Sequence, residues 1–322
     1  MKPNKGTAIV AIGGNAIYTG DAPATIQVQV EASEKLAKQI VAMTKQGWNV
    51  ILTHGNGPQV GFIMRRSDVA SEVDPSLPVL DLTIAGAQSQ GGLGYILANA
   101  FQRALAAEGI DRDVVAVVSH AVVDGNDPAF DSPTKPIGSF YDEEEAQQLA
   151  EEDDWTIVED SGRGWRRVVA SPRPKRIVEG KAIKALVDSG FLVIGAGGGG
   201  IPVVEGENGA LVGVEAVIDK DFASALLATD VEADLLAVTT GVDQVAINFG
   251  TPQQENLHRV SASQMRQYLE EGQFPPGSMG PKIEAALEYL DAGGKEVLIT
   301  SPESLQEALE GSTGTWITAD PQ

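Results

Sequence analysis

Hydrophobic and polar positions along the chain switch repeatedly between two periods. A stretch with helical spacing ends at a Gly, and a short run of β-branched and aliphatic residues follows. Lys45-Gln46-Gly47 leads into the run 48–53, Glu108-Gly109 into 114–119, Ser189-Gly190 into 191–194, and Ala292-Gly293-Gly294 into 296–300. A Gly just past a helix supplies the left-handed cap, and short apolar runs bounded by turn signals read as strands buried on both faces. The runs 8–12 and 234–239 are of the same kind. Helices are expected over about 25–46, 81–107, 175–189, 221–232, 261–270, 281–292 and 302–310. This alternation predicts an α/β fold, a three-layer α/β/α sandwich around a mostly parallel central sheet.

One segment, about 124–170, breaks the rhythm. Asn126-Asp127-Pro128, Ser132-Pro133 and Lys135-Pro136 are turn signals, and acids crowd 142–145, 151–154 and 159–160. The runs 155–158 and 165–169, flanking Gly162 and Gly164, read as a hairpin. Because it carries its own apolar residues, the segment is expected to be a small protruding subdomain rather than a linker.

Composition narrows the chemistry. Among 322 residues there is no Cys and there are three His, with a formal net charge of -22. Disulfides and thiolate metal sites are excluded, and no His pair with ligand spacing is present. The acidic balance argues against nucleic acid as a partner. The N-terminal stretch lacks the apolar length of a signal peptide, and no apolar run approaches the ~20 residues of a membrane span. The expected location is cytoplasmic.

The strand 8–12 runs into Gly13-Gly14-Asn15, and 48–53 into His54-Gly55-Asn56-Gly57-Pro58. Both put Gly-rich backbone at the carboxyl end of a strand, where α/β sheets bind ligands and bare N–H groups can cradle phosphate. Either loop alone would also serve as an ordinary turn. Neither is a Walker A motif: the Gly180-Lys181 pair is followed by Ala182 and has Lys175 where the first Gly belongs. The cluster 195–200, with Gly197 and Gly198, formally contains G-x-G-x-x-G, but Pro202 and Val203 do not open a helix. It reads better as close backbone approach to a phosphate or to the reacting groups.

Three lysines stand out. Lys135 lies on the excursion, and Lys220 and Lys282 lie at expected helix starts. A helix N-terminus is already positive, so a lysine there suggests that an anion is present. Phosphoryl transfer needs such cations and little covalent chemistry from the protein. Asp219 and Asp221 flank Lys220 and could orient the lysines or help hold a metal through water. The alternative is that each lysine is a solvated surface residue.

Taken together, the segments 8–17 (AIVAIGGNAI), 53–61 (THGNGPQVG), 127–141, 164–179 (GWRRVVASPRPKRIVE), 195–203 (GAGGGGIPV), 213–228 (GVEAVIDKDFASALLA), 247–254 and 277–282 (GSMGPK) resemble the amino-acid kinase family, and within it the carbamate kinases. The likeness covers nearly the whole chain. It implies a lobe over 1–212 that handles carbamate and the phosphoryl group, and a nucleotide lobe over 213–322. It also implies catalytic roles for Lys135, Lys220, Asp221 and Lys282, phosphate loops at Gly13, Gly14, Asn15 and at Gly55, Asn56, Gly57, and nucleotide contacts from Gly197, Gly198, Asp219, Lys220, Asp243 and Lys282. Mg²⁺ would arrive with ATP or ADP rather than in a protein ligand set. Carbamate or carbamoyl phosphate would be the second substrate, and the resemblance further implies a homodimer and a place in arginine or other carbamoyl-phosphate-yielding catabolism.

A missing Lys before Gly13 (Ala11-Ile12-Gly13) fits the carbamate kinases, which resemblance implies use the subdomain lysine instead. Other positions depart from the family pattern. Gly241 and Ala246 stand where an Asp and a Tyr are usual, which predicts looser base selectivity. His120 and Gly92 stand where Gln and Tyr are common, and the resemblance implies that both lie near the acceptor side. The rival readings are a kinase for another small acid, and a nucleotide-binding sensor without turnover.

Overall fold

The computed structural model describes residues 5–18, 25–153, 155–159 and 164–320. At its centre is an eight-stranded sheet. Its order is Arg259–Ser261, Thr315–Thr318, Glu296–Thr300, Leu235–Thr239, Gly6–Ile12, Trp48–His54, Leu192–Ile194, Val114–Ala116. All neighbours run parallel except Glu296–Thr300 against Thr315–Thr318. The central strands are apolar on both faces because helices cover both, so alternation is absent there. Ile9, Ile51, Val193, Leu236 and Val297 face one core with the helices Gly180–Asp188, Lys220–Asp230 and Met279–Asp291. Val10, Leu52, Leu192, Ala237 and Leu298 face the other, packed by Ile26–Lys45 and Leu82–Ala107. This is the predicted sandwich.

The strand Gly6–Ile12, from the start of the chain, pairs Ala8 with Leu235 and Val10 with Leu52. The stretches 1–212 and 213–322 therefore share one sheet rather than owning separate ones.

A second, four-stranded sheet joins Leu211–Gly213, Ile201–Glu205, His120–Val123 and Pro174–Ile177. Here two expectations are corrected. The run 114–119 ends as a strand at Ala116, because the chain leaves the main sheet to enter this one at His120. The helix expected from 175 begins only at Gly180, and Pro174–Ile177 is instead an outer strand pairing Ala121 with Ile177. The helix expected over 302–310 contracts to Leu305–Leu309, and the helix Gly57–Val73 is absent from the expected set.

The excursion has its own three-stranded sheet, Lys135–Tyr141, Trp165–Val169, Thr156–Glu159, and the acidic helix Glu143–Asp153. The expected hairpin is there, with Thr156 opposite Val168 and Glu159 opposite Trp165. Gly162, at its expected turn, lies outside the described residues. Val60, Leu82, Ala85, Ile137 and Val169 form a small cluster of their own that seats this subdomain on the main body. Gly61 and Gly138 make that seat close: a Cβ on Gly61 would lie 2.7 Å from the Cα of Gly138. Among the described residues no helix is long and apolar enough to cross a membrane.

Candidate active site

Parallel strands deliver their loops to the same end of the sheet. The loops after Glu296–Thr300, Leu235–Thr239, Gly6–Ile12 and Trp48–His54, four neighbouring strands, line one cleft of about 640 Å³. Across it in sheet order come Ser301 and Glu303, then Thr240 and Gly241, then Gly13 and Gly14, then Gly55, Asn56 and Gly57. Lys135 and Ile137 of the subdomain, Gly198, and the residues Asp219, Lys220, Asp221 and Lys282 complete the wall.

The helix Lys220–Asp230 starts here because Asp219 caps it, its Oδ1 accepting from the Asp221 N–H at 2.9 Å. The same Asp219 accepts from Lys135 Nζ through Oδ2 at 2.7 Å. Asp221 is buried, and Lys220 and Lys282 donate one to each of its oxygens, at 2.5 and 2.8 Å. Burial alone would raise the Asp221 pKa; the two ammonium groups overcome this and hold it well below the usual carboxylate range. Lys220 is lowered from the ordinary lysine value by burial, with Asp221 opposing and Lys282 reinforcing the shift.

Two lysines on one carboxylate leave a surplus positive charge, while Asp219 is matched by Lys135. The N-termini of Gly57–Val73, Lys220–Asp230 and Met279–Asp291 meet at the same cleft, adding the positive ends of three helices. The cleft is therefore built to receive an anion with several negative oxygens.

The glycine loops divide their work. Gly55 donates its N–H to the Ile12 carbonyl at 2.9 Å, so that group is not free for a phosphate. What Gly55 provides is proximity: a Cβ there would lie 2.9 Å from the Gly14 nitrogen. Gly13, Gly14 and Gly57 line the cleft, as does Asn56, whose Nδ2 donates to Ser89 Oγ at 2.7 Å. Asn15 sits on the turn Gly14–Ala16, and its side chain lies outside the described part. Gly198 lines the cleft in a left-handed conformation, with Asn56 where its Cβ would be.

Other expected residues stand back from the cleft wall. Gly197 packs against His54, with its Cβ position 2.7 Å from Nε2. Asp243 accepts from Ser301 Oγ at 2.6 Å and Ser304 Oγ at 2.8 Å, so it acts on the wall through Ser301. His120 and Gly92, expected near the acceptor, do not line the cleft. His120 Nδ1 pairs with Glu179 Oε1 at 2.8 Å, and Gly92 is on the exposed face of Leu82–Ala107.

Sequence reasoning missed three residues. His54 is buried behind the second glycine loop, and burial, partly opposed by the Gly55 carbonyl, lowers its pKa to about 4. It is neutral at physiological pH. Ser301 and Glu303 follow a strand that ends at the same edge as the flagged loops, the one signal that could have found them. No group of three or more His, Asp or Glu among the described residues is arranged to hold a metal. Asp219 and Asp221 are already engaged by lysines, so the donor set suits a cation brought in on phosphate oxygens.

Residues 6–301 match the model of the amino acid kinase family. The chain belongs to that family. It is 51% identical to the carbamate kinase-like protein YahI of Escherichia coli over 97% of this chain and 99% of that one. It is 46% identical to the carbamate kinase of Pyrococcus horikoshii, covering 96% of this chain and 98% of that one. Among solved structures, the carbamate kinase from Giardia lamblia bound to AMP-PNP superposes with a TM-score of 0.91 at 40% identity, over 99% of this chain and all of that one. An amino acid kinase with three lysines gathered on two aspartates is a phosphotransferase by family and by chemistry.

Proposed function

We propose that the chain is a carbamate kinase that transfers a phosphoryl group between ATP/ADP and carbamate/carbamoyl phosphate, working toward ATP. The observation that carries this is the Lys220–Asp221–Lys282 trio with Lys135 reaching in from the subdomain. An oxygen of the ADP β-phosphate attacks phosphorus, the bond from phosphorus to the carbamoyl oxygen breaks, and carbamate leaves with the electron pair. Charge spreads over the equatorial oxygens, and Lys220 and Lys282 are placed to neutralise it. Asp221 accepts from both ammonium groups and aims them. Lys135 and Ile137 would cover the acceptor end, beside Val60 and Val217 of the cleft wall. Mg²⁺ bound to the nucleotide would add charge neutralisation.

The nucleotide would lie toward Gly241 and Ser301, in the 213–322 half, and the acceptor toward Gly57 and the subdomain in the 1–212 half. The chain would act in the cytoplasm as a homodimer. Support for the dimer comes from the outer strand Val114–Ala116, with Ile84, Tyr95 and Val118 exposed. Arginine catabolism is one setting that supplies carbamoyl phosphate.

The test is ATP formation from ADP and carbamoyl phosphate. Lys135→Ala is expected to lower kcat/KM for carbamoyl phosphate more than about tenfold, which is roughly 1.4 kcal/mol of lost transition-state binding. Retention of more than a tenth would remove Lys135 from the acceptor end. Turnover of a larger acid in preference to carbamate would favour the other-acceptor reading.

A further inference from the structure

We infer that Glu303 recognises the ribose of the nucleotide, its carboxylate accepting hydrogen bonds from the 2′- and 3′-hydroxyls, with Asp243 as the positioning residue behind it. This rests on the nucleotide assignment above.

Three carboxylates line the cleft: Asp219, Asp221 and Glu303. The first two are engaged by Lys135, Lys220 and Lys282. Glu303 is exposed and has no ion-pair partner among the described residues. A free carboxylate close to phosphates would repel them, so its place in the cleft decides what it can do. It follows Glu296–Thr300, two strands from Gly6–Ile12 and three from Trp48–His54. At the usual strand spacing this is roughly 10 Å from the first glycine loop and roughly 15 Å from the second. Glu303 thus stands at the end of the cleft remote from the second glycine loop and the acceptor.

What a nucleotide presents at that distance is its sugar. A vicinal diol offers two O–H donors to two carboxylate oxygens, and such charge-assisted bonds are among the stronger ones available. An acid reading ribose hydroxyls is the same solution found in dinucleotide-binding sheets. Space is available: a Cβ on the neighbouring Gly241 would meet nothing within 4 Å. Ser301 is a poor rival as acceptor, because its Oγ already accepts the Ser304 N–H at 3.1 Å while donating to Asp243.

The turn bearing Glu303 is fixed from behind. Asp243 Oδ1 takes both Ser301 Oγ and Ser304 Oγ, the residues on either side of Pro302-Glu303. Pro302 restricts the backbone between them. Asp243 therefore sets where the Glu303 carboxylate points without touching the ligand.

The experiment is calorimetric titration of the full chain with ADP, 2′-deoxy-ADP and 3′-deoxy-ADP in the presence of Mg²⁺. The wild type is expected to bind ADP about tenfold or more tightly than 2′-deoxy-ADP, the scale of one hydrogen bond to a charged group. Glu303→Ala should abolish the discrimination: ADP loses both hydrogen bonds, about a hundredfold, while 2′-deoxy-ADP and 3′-deoxy-ADP, each with one hydroxyl left for the carboxylate, lose about tenfold. Asp243→Ala should reproduce the collapse in discrimination. If Glu303→Ala weakens both nucleotides equally, the carboxylate serves the phosphates or Mg²⁺ and the inference is wrong. It is equally wrong if the variant leaves both unchanged, or if the wild type does not discriminate. A wild type that discriminates but makes no ATP from carbamoyl phosphate would overturn the proposed reaction and leave the ribose assignment standing.

Discussion

The guanidinium carbon of Arg173 lies 3.3 Å from the centre of the Phe222 ring. Arg173 follows the last strand of the subdomain, and Phe222 follows Asp221. Its Nη1 donates to Glu288 at 2.9 Å and its Nη2 donates to Glu284, both on the helix that carries Lys282. Its N–H donates to Asp127 Oδ2 at 3.1 Å, at the subdomain's entry. One residue thus ties both stems of the excursion to the helices bearing the reactive charges.

Replacing Arg173 by Ala should cost about 0.5–1 kcal/mol of stability in urea unfolding, most of it from the half-exposed cation–π stack. The ion pairs with Glu284 and Glu288 are well exposed and contribute little. Arg173→Lys should recover less than half of the loss, since an ammonium lacks the planar face that lies on the ring. Full recovery by Lys would assign the effect to charge alone.

The lysine trio predicts a pH profile with opposite responses in two variants. Lys220 must be charged to act, and its pKa lies below the ordinary 10.5. Activity should therefore fall on the alkaline side before that value. For stability the sign runs the other way: across that window the unfolded chain holds more protons, so the contribution of this group rises with pH. Asp221→Asn removes the carboxylate that pulls the Lys220 pKa upward and should move the alkaline limb down. Lys282→Ala removes the neighbour that pushes it downward and should move the limb up, while lowering kcat about 100-fold or more. Limbs that coincide in both variants and the wild type would show that Lys220 does not control the profile.

Gly61 sets the height of the subdomain. In Gly61→Ala the new Cβ meets backbone, 2.7 Å from Gly138 Cα and 3.2 Å from its nitrogen. Backbone cannot turn aside as a side chain does, so the strand Lys135–Tyr141 must lift. The expected result is a loss of about tenfold or more in kcat/KM for carbamoyl phosphate, with ADP affinity within about twofold of wild type. Adding Lys135→Ala should then cost little more. Independent, multiplying losses would separate the glycine contact from the lysine.

Buried His54 predicts acid sensitivity. Its folded pKa is about 4 against 6.5 in the unfolded chain. Its neutral form is therefore favoured by folding, and stability should be full above about pH 6.5 and decline as pH falls toward 4. Asp221 loses its contribution only below about pH 4, so the two windows separate. Urea midpoints at several pH values should show a flatter slope between pH 6.5 and 4.5 in His54→Gln. An unchanged slope would place the sensitivity elsewhere.

The layers were legible because the central strands are unbroken apolar runs that each follow a capping Gly, a pattern local enough to survive without knowledge of partners. Gly57–Val73 was not, since it opens on Gly57-Pro58 and carries Gly61 and Arg65-Arg66, and one side of it is covered by the subdomain rather than by a core. Residues 175–177 fit the pattern of the helix expected over 175–189 because Lys175 and Arg176 are exposed on an outer strand. In the cleft, Lys220 and Lys282 were visible as cations at the wrong ends of helices. Glu303 was not, because nothing in 296–303 says that this strand lies two places from the first. The resemblance brought out Asp243, but a carboxylate's partner is a matter of three dimensions, and here it is a pair of serines.

The strand Gly6–Ile12 is flanked by Trp48–His54 on one side and Leu235–Thr239 on the other. On the ribosome its first neighbour emerges almost at once, while its second follows only after the whole subdomain, the second sheet and four further helices have been made. At about 5–20 residues per second that interval is roughly 10–40 s. Throughout it, an apolar strand presents an open hydrogen-bonding edge to whatever else is in the cell, the arrangement most inviting to mispairing. Shielding of the nascent chain over this interval would therefore bear on the yield of folded protein, independently of the stability of the finished molecule.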